Sequence, residues 1–269
     1  KKWTNERILE RLASRKVRSL DLHNTSADDV VLARLAERGS LTSLDLSSDR
    51  ITDEGIRAVV ESCQLESLML RHAPLVTDGC LDSVAACSTL RELYLEGTSV
   101  TDDGIGAIGR LPNLWSLDIS RTAITDVGLE KIASDRITLI SFDECALTGV
   151  GFSTWSVKEK MSFYTNGSQL DDEGFATACT AFSFMWNVVI ENTNVTNRGL
   201  RALAGQSPTS LRIHGSPIDR EGVLWAIKNL PVHAIGADPR QISPSEVEED
   251  QQQEPGLANC RSIRIYEKH

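Results

Sequence analysis

Residues Leu90–Asn113, LRELYLEGTSVTDDGIGAIGRLPN, decide the fold of this chain. Leu90, Leu93 and Leu95 stand among polar residues at the spacing of a short strand with one face turned inward. Val100 follows, then Thr101, Asp102 and Gly104, then Ile105 and Ile108 at the spacing of a buried helix face. A unit of 24 residues cannot bury its own apolar side, so it needs copies of itself on both flanks.

The copies are there. The first apolar position recurs at 17, 41, 65, 90, 114, 137, 160, 185, 208, 232 and 260, at intervals of 23 to 28 residues. The fourth and sixth positions are apolar in nearly every unit: Leu20/Leu22, Leu44/Leu46, Leu68/Leu70, Leu93/Leu95, Leu117/Ile119, Ile140/Phe142, Val188/Ile190, Leu211/Ile213 and Ile263/Ile265, with Thr165 and Ala237 as weak sixth positions. Helix-spaced apolar sets such as Ile56/Val59/Val60 and Leu129/Ile132/Ala133 come after each turn. Strand, turn, helix and parallel strand then stack into one coil. Helices are wider than strands spaced about 4.8 Å apart, which places the sheet on the concave side.

The motifs ITDEGI at Ile51, VTDDGI at Val100 and ITDVGL at Ile124, with LDDEGF, VTNRGL and IDREGV as looser copies at Leu170, Val195 and Ile218, resemble the leucine-rich repeat. The form is similar to the T-D-x-G-[LI] variant of bacterial repeat proteins and to the cysteine-containing repeats of F-box proteins. The resemblance implies an α/β leucine-rich repeat solenoid, a horseshoe arc with a parallel sheet on the concave face and helices on the convex face. It also implies protein recognition rather than catalysis. Asn or Cys at the ninth position of such repeats bonds the loop backbone. Here that position reads Thr25, Asp49, Thr98, Thr122, Cys145, Ser168, Thr193 and Ser216, short side chains suited to the same task. Thr52, Thr101, Thr125 and Thr196 suit helix N-caps, and Asp53, Asp102 and Asp126 suit the positive helix end.

The organisation read from this register is a capping helix over 1–16, a solenoid of about ten units over 17–243, an acidic Gln-rich insertion over 244–259 and a closing strand with cap over 260–269. The chain opens Lys1-Lys2 rather than with Met, which leaves room for an upstream domain, anchor or export signal. Six cysteines without a CxxC pair are a poor disulfide framework, so free thiols are expected, with Cys63 and Cys87 the one pair near enough in register to bridge. A cytoplasmic setting is weakly favoured on the same ground.

A net charge of −10 disfavours a nucleic-acid partner. There is no apolar run near 18 residues, so no membrane insertion by this segment is expected. Gly104, Gly106 and Gly109 match GxGxxG, but Gly104 is the repeat glycine, equivalent to Gly55, Gly128 and Gly199, and the unit lacks the length of a dinucleotide fold. His23, His72, His214, His233 and His269 lie in separate units, without metal spacing and without a nucleophile and base that register could unite. No cofactor, metal or catalytic residue is expected. The sequons at Asn24, Asn166 and Asn194 matter only in a eukaryotic secretory setting.

Outward strand residues occupy the third, fifth and seventh positions, and equal positions stack from unit to unit. They form a stripe of small polar and acidic residues, interrupted by Tyr94 and Tyr164 and by Met69 and Arg71 near one end. Aromatic side chains and Arg among small polar groups are the composition of binding hot spots. The expected partner-binding residues are Met69, Arg71, Glu92, Tyr94, Glu96, Asp118, Asp143, Tyr164 and Glu191, on a non-enzymatic, monomeric scaffold for a protein or peptide. Two other roles fit the pattern: the substrate-recognition arm of a larger enzyme or ubiquitin-ligase-like assembly, and a structural, self-associating component. Nine of the 14 aromatic residues fall between Phe142 and Trp186. Phe142, Phe152, Phe163 and Phe175 read as a core spine, whereas Trp115, Trp155 and Trp186 are the candidates for flank exposure.

Overall fold

The computed structural model describes residues 4–12, 17–23, 25–242 and 262–265. Trp3 of the expected cap and the acidic stretch 244–259 lie outside the described residues. The chain divides into two compact units, Lys1–Ile132 and Ala133–His269.

In the first unit, helix α1 (Asn5–Leu12) lies against α2 (Asp29–Ala36), with Ile8 buried. Five parallel strands follow in chain order: β1 (Ser19–Asp21), β2 (Ser43–Leu46), β3 (Ser67–Leu70), β4 (Glu92–Tyr94) and β5 (Ser116–Asp118). They alternate with α2, α3 (Asp53–Ser62), α4 (Leu81–Ala86), α5 (Asp102–Ile105) and α6 (Asp126–Lys131). The register matches the fourth repeat position throughout, Leu20 to Leu44 to Leu68 to Leu93 to Leu117. Leu44, Leu68, Leu93 and Leu117 are fully buried, so the alternation that predicted the strands also sets their pairing.

The second unit holds β6 (Leu139–Ser141), β7 (Val157–Asn166), α7 (Asp172–Ala181), β8 (Phe182–Glu191), α8 (Asn197–Leu200), β9 (Ser210–Arg212), α9 (Arg220–Asn229), β10 (Ala234–Ala237) and β11 (Ser262–Ile265). The same positions pair again, Ile140 to Phe163 to Val188 to Leu211 to Ile235 to Ile263. Phe142, Phe152, Phe163, Phe175 and Phe182 are fully buried, and their rings meet at centroid distances of 5.1–6.1 Å. Trp155 packs into the same cluster, whereas Trp115 and Trp186 are exposed.

The T-D-x-G motif does more than cap. Thr52 caps α3 by accepting the Glu54 N–H, and its own N–H and hydroxyl donate to Asp29 of the preceding repeat at 3.0 and 2.6 Å. Thr77 holds Asp53 in this way, Thr101 holds Asp78, Thr125 holds Asp102 and Thr196 holds Asp172. Each aspartate therefore joins two repeats. The repeat glycine is required by the same contact: a Cβ on Gly55, Gly104, Gly128 or Gly199 would collide with the preceding repeat's aspartate. Where Cys80 takes the glycine position, the helix opens with a 3-10 turn and Gly79 makes the close approach, to Asp53. In the last staple, Asn197 and Asp219 replace the Asp–Thr pair.

The eighth position of most units is left-handed, filled by Gly97, Gly167 and Gly215 but also by His72, Arg121, Glu144 and Asn192 at φ of 49–55°. The amides of His72, Gly97, Glu144, Gly167 and Asn192 each donate to a carbonyl at the end of the next strand. At the ninth position, the hydroxyls of Thr25, Thr98, Thr122 and Thr193 donate to the carbonyl three residues back. Asp49 does not join this set. It is exposed, and Ser48 beside it is buried and donates to the Ala27 carbonyl at 2.8 Å in its place.

Candidate functional site

The outward face of the first unit gathers the large polar residues that the repeat register leaves unburied. Met69 and Tyr94 are strand partners, as are Tyr94 and Asp118, which fixes three of them in one row. The Arg71 guanidinium carbon lies 5.2 Å from the Tyr94 ring centre, and its Nε is 4.0 Å from Glu96. Arg121 Nη1 donates to Glu96 at 3.3 Å, and His72 Nε2 stands 3.8 Å from the same carboxylate. Glu96 is thus shared by three side chains, two of which, His72 and Arg121, sit on left-handed backbone. An L-residue there is held against a local preference on the order of 1 kcal/mol.

Tyr94 accepts a hydrogen bond from Ser116 at 3.3 Å, while Glu92 has no side-chain bond among the described residues. Burial pushes the Asp118 carboxyl above its ordinary range, against hydrogen bonds from Ser120 that lower it. These groups form a half-exposed surface of alternating charge around one aromatic ring.

The expected site residues of the second unit lie in a different setting. Asp143 accepts the Asn166 N–H at 2.9 Å, and Tyr164 is half-buried in mid-strand. Glu191 is only 7% exposed and is gripped by Arg212 Nε and Nη2 at 2.8 and 3.0 Å, so its carboxylate is committed within the fold. The pattern of residues did not mark Arg212 as the partner of Glu191, nor His72 and Arg121 as neighbours of Glu96, since those two occupy no outward strand position. Their signal was a bulky residue where a left-handed turn favours glycine.

Strands β7 and β8 run ten residues each, far past the three or four of the other strands. Their extra segment presents Phe184 and Trp186 to solvent, with Lys160 Nζ 4.1 Å above the Trp186 ring. Gln206 closes the far edge, accepting the Met185 N–H and donating to the Cys179 and Phe182 carbonyls.

The five described cysteines are free and buried, and burial pushes the Cys80 thiol up and the Cys179 thiol up to about 12, which suppresses the nucleophilic thiolate. Among the described residues, no group of three or more His, Cys, Asp or Glu is placed to hold a metal ion, and no helix is long and apolar enough to cross a membrane.

Comparison with known proteins agrees with the geometry. The leucine-rich repeat family model matches residues 40–60, 86–109 and 110–133. The chain superposes on the structure of the yeast Rad7–Elc1 complex with a TM-score of 0.62 at 14% identity, covering 87% of this chain and 65% of that one. An internalin, InlF of Listeria monocytogenes, gives 0.55 at 13% identity over 98% of this chain and 85% of that one. The fold is that of an α/β leucine-rich repeat solenoid. A TLR13–ssRNA13 complex is similar as well, with a TM-score of 0.52 at 16% identity over 98% of this chain but only 34% of that one. No curated protein matches. At these identities the likeness concerns the leucine-rich repeat fold alone, and the chain spans less than two thirds of the Rad7–Elc1 and TLR13 chains it resembles.

Proposed function

We propose that this leucine-rich repeat chain is a non-enzymatic recognition scaffold that takes a protein or peptide on the outward, concave sheet face of its first unit. The observation that carries the reading is the Glu96 cluster. Arg71, His72 and Arg121 converge on one carboxylate beside Tyr94 that keeps 21% of its side-chain surface exposed, and His72 and Arg121 reach it from left-handed backbone that costs stability. Pre-set Arg and Tyr side chains supply contact area at low entropic cost to binding. The net charge of −10 supports a protein partner over nucleic acid. The motifs ITDEGI, VTDDGI and ITDVGL further support placing the repeats in the T-D-x-G-[LI] class, similar to those of F-box proteins.

The test is partner capture by the wild-type chain and by an Arg71→Ala, Tyr94→Ala variant of unchanged circular dichroism. Capture is expected to fall at least about tenfold, the effect of losing one hot-spot residue of about 2 kcal/mol. Equal capture by the two proteins would remove the assignment.

A further inference from the structure

Next to the Glu96 cluster, the same sheet face carries two polar atoms that the fold leaves unsatisfied. Asp45 Oδ1 and Ser67 Oγ are both buried without a hydrogen-bond partner, and Ser67 as a whole is only 9% exposed. Strand register places them diagonally on neighbouring strands. Ser43 pairs with Ser67, and Asp45 pairs with Met69, so all four side chains share the outward face of β2 and β3. Asp21 flanks Asp45 on β1, and Glu92 flanks Ser67 on β4. Glu92 makes no side-chain bond among the described residues.

A buried, unpaired carboxylate oxygen is costly, and so is an unpaired hydroxyl, unless a ligand completes them. The missing group must donate to both atoms. A positive group fits best, because Asp21, Asp45 and Glu92 surround the position, while Arg71, the charge that acts most strongly on Asp45, makes no hydrogen bond to it and is engaged with Glu96 and Tyr94. A bare metal ion is disfavoured, since no three of these carboxylates converge at metal-binding distance. Asp45 and Ser67 are diagonal neighbours, about 7–8 Å apart at the backbone, and a side chain with several N–H donors lying between them can donate to both atoms. The thioether of Met69 and the ring of Tyr94, on the adjoining rung, offer apolar walls for its alkyl stem.

We infer that Asp45 and Ser67 form a pocket for a basic side chain, Arg or Lys, of an extended peptide lying across the first-unit sheet. This rests on the reading of that face as the binding surface. The carboxyl of Asp45 is held above its ordinary range, first by burial and then by Asp21, while Arg71 and His23 oppose the shift. A bound cation favours the ionised form, so binding strengthens as pH rises through that raised value.

The probes are the peptides Ac-Gly-Gly-Xaa-Gly-Gly-NH2 with Xaa as Arg, Lys, Gln or Glu, followed by NMR chemical-shift titration of the full chain. The Arg and Lys peptides are expected to bind with shifts centred on β2 and β3, the Gln and Glu peptides not. Asp45→Asn should weaken the Arg peptide by about tenfold or more, and Ser67→Ala by a smaller factor. Asp45→Asn should also unfold at a higher temperature than wild type, because it removes an unpaired charge; a stabilised variant that loses binding separates a ligand site from a structural role. Equal binding of all four peptides, no binding of any, or Asp45→Asn binding like wild type would each overturn the pocket. Loss of partner capture in the Arg71, Tyr94 variant alongside any of those results would leave the scaffold function standing, whereas intact capture in both variants would remove both readings.

Discussion

In the first unit the interior is aliphatic, with Leu44, Leu68, Leu93 and Leu117 in one buried row, and the outward face is charged. In the second unit five phenylalanines and Trp155 fill the interior, and the outward polar groups are largely engaged with one another. The contrast is sharpest at one repeat position. Glu96 and Glu191 are both seventh in their units, yet Glu96 keeps 21% of its side-chain surface and is shared among Arg71, His72 and Arg121, while Glu191 keeps 9% in a two-pronged bond with Arg212. Register decides which way a residue points, and the neighbouring repeat decides how it is bonded within the fold.

The largest effect that could break this comparison lies in the cores. Phe163 touches Phe142, Phe152, Phe175 and Phe182, so Phe163→Ala should destabilise by about 3–5 kcal/mol in urea unfolding. Leu93→Ala should cost roughly 2–5 kcal/mol, and the two should differ in which unit loses amide protection first. Simultaneous loss of protection in both would deny the units separate stability.

Glu191→Gln should cost about 1–3 kcal/mol by leaving Arg212 half-paired, and Glu96→Gln under about 1 kcal/mol. The reverse order, read by thermal unfolding, would undo the contrast between the two glutamates. The staple allows a rescue test: Gly128→Ala should cost roughly 1–3 kcal/mol through its clash with Asp102, and adding Asp102→Ala should restore part of that loss instead of adding to it. Strict additivity would mean that the glycine serves some other purpose.

Smaller still, Arg121→Gly should stabilise by roughly 0.5–1 kcal/mol by relieving the left-handed backbone, while weakening partner capture. Two aspartates should respond to acid in opposite directions. Burial raises Asp118 overall, so its contribution is present at low pH and lost as pH rises through the folded value; Asp118→Asn should therefore stabilise at pH 7 and lose that advantage below about 3.9. Burial also pushes Asp172 up, but bonds from Thr196 and Gly199 outweigh it and lower it overall, so its contribution is present above about 3.9 and lost as pH falls through the folded value. Urea midpoints of Asp118→Asn and Asp172→Asn against wild type across that range check both signs.

Much of this was legible in the residues. The fourth-position register from Leu20 to Ile263, the phenylalanine spine and the Thr N-caps all follow from periodicity, because burial and capping are local demands repeated every 23 to 28 residues. The aspartate of T-D-x-G was read only as a complement to the helix end. Its second role needs the next repeat in place, which no single window contains. The ten-residue strands β7 and β8 were likewise illegible, since Val157–Lys160 carries three charged residues and has no apolar alternation.

The sequence by itself determined the repeat, its register and the direction of each strand side chain, because those depend on a fixed period and on the transfer of apolar groups from water. Only the tertiary structure decided which outward groups are bonded inside the fold. Arg212 closes on Glu191, His72 and Arg121 turn from left-handed backbone toward Glu96, and Asp45 Oδ1 and Ser67 Oγ are left without a hydrogen bond. Those outcomes rest on distances of a few ångströms between residues about 20 to 25 positions apart, and hydrogen bonds and ion pairs discriminate on that scale where hydrophobic periodicity does not.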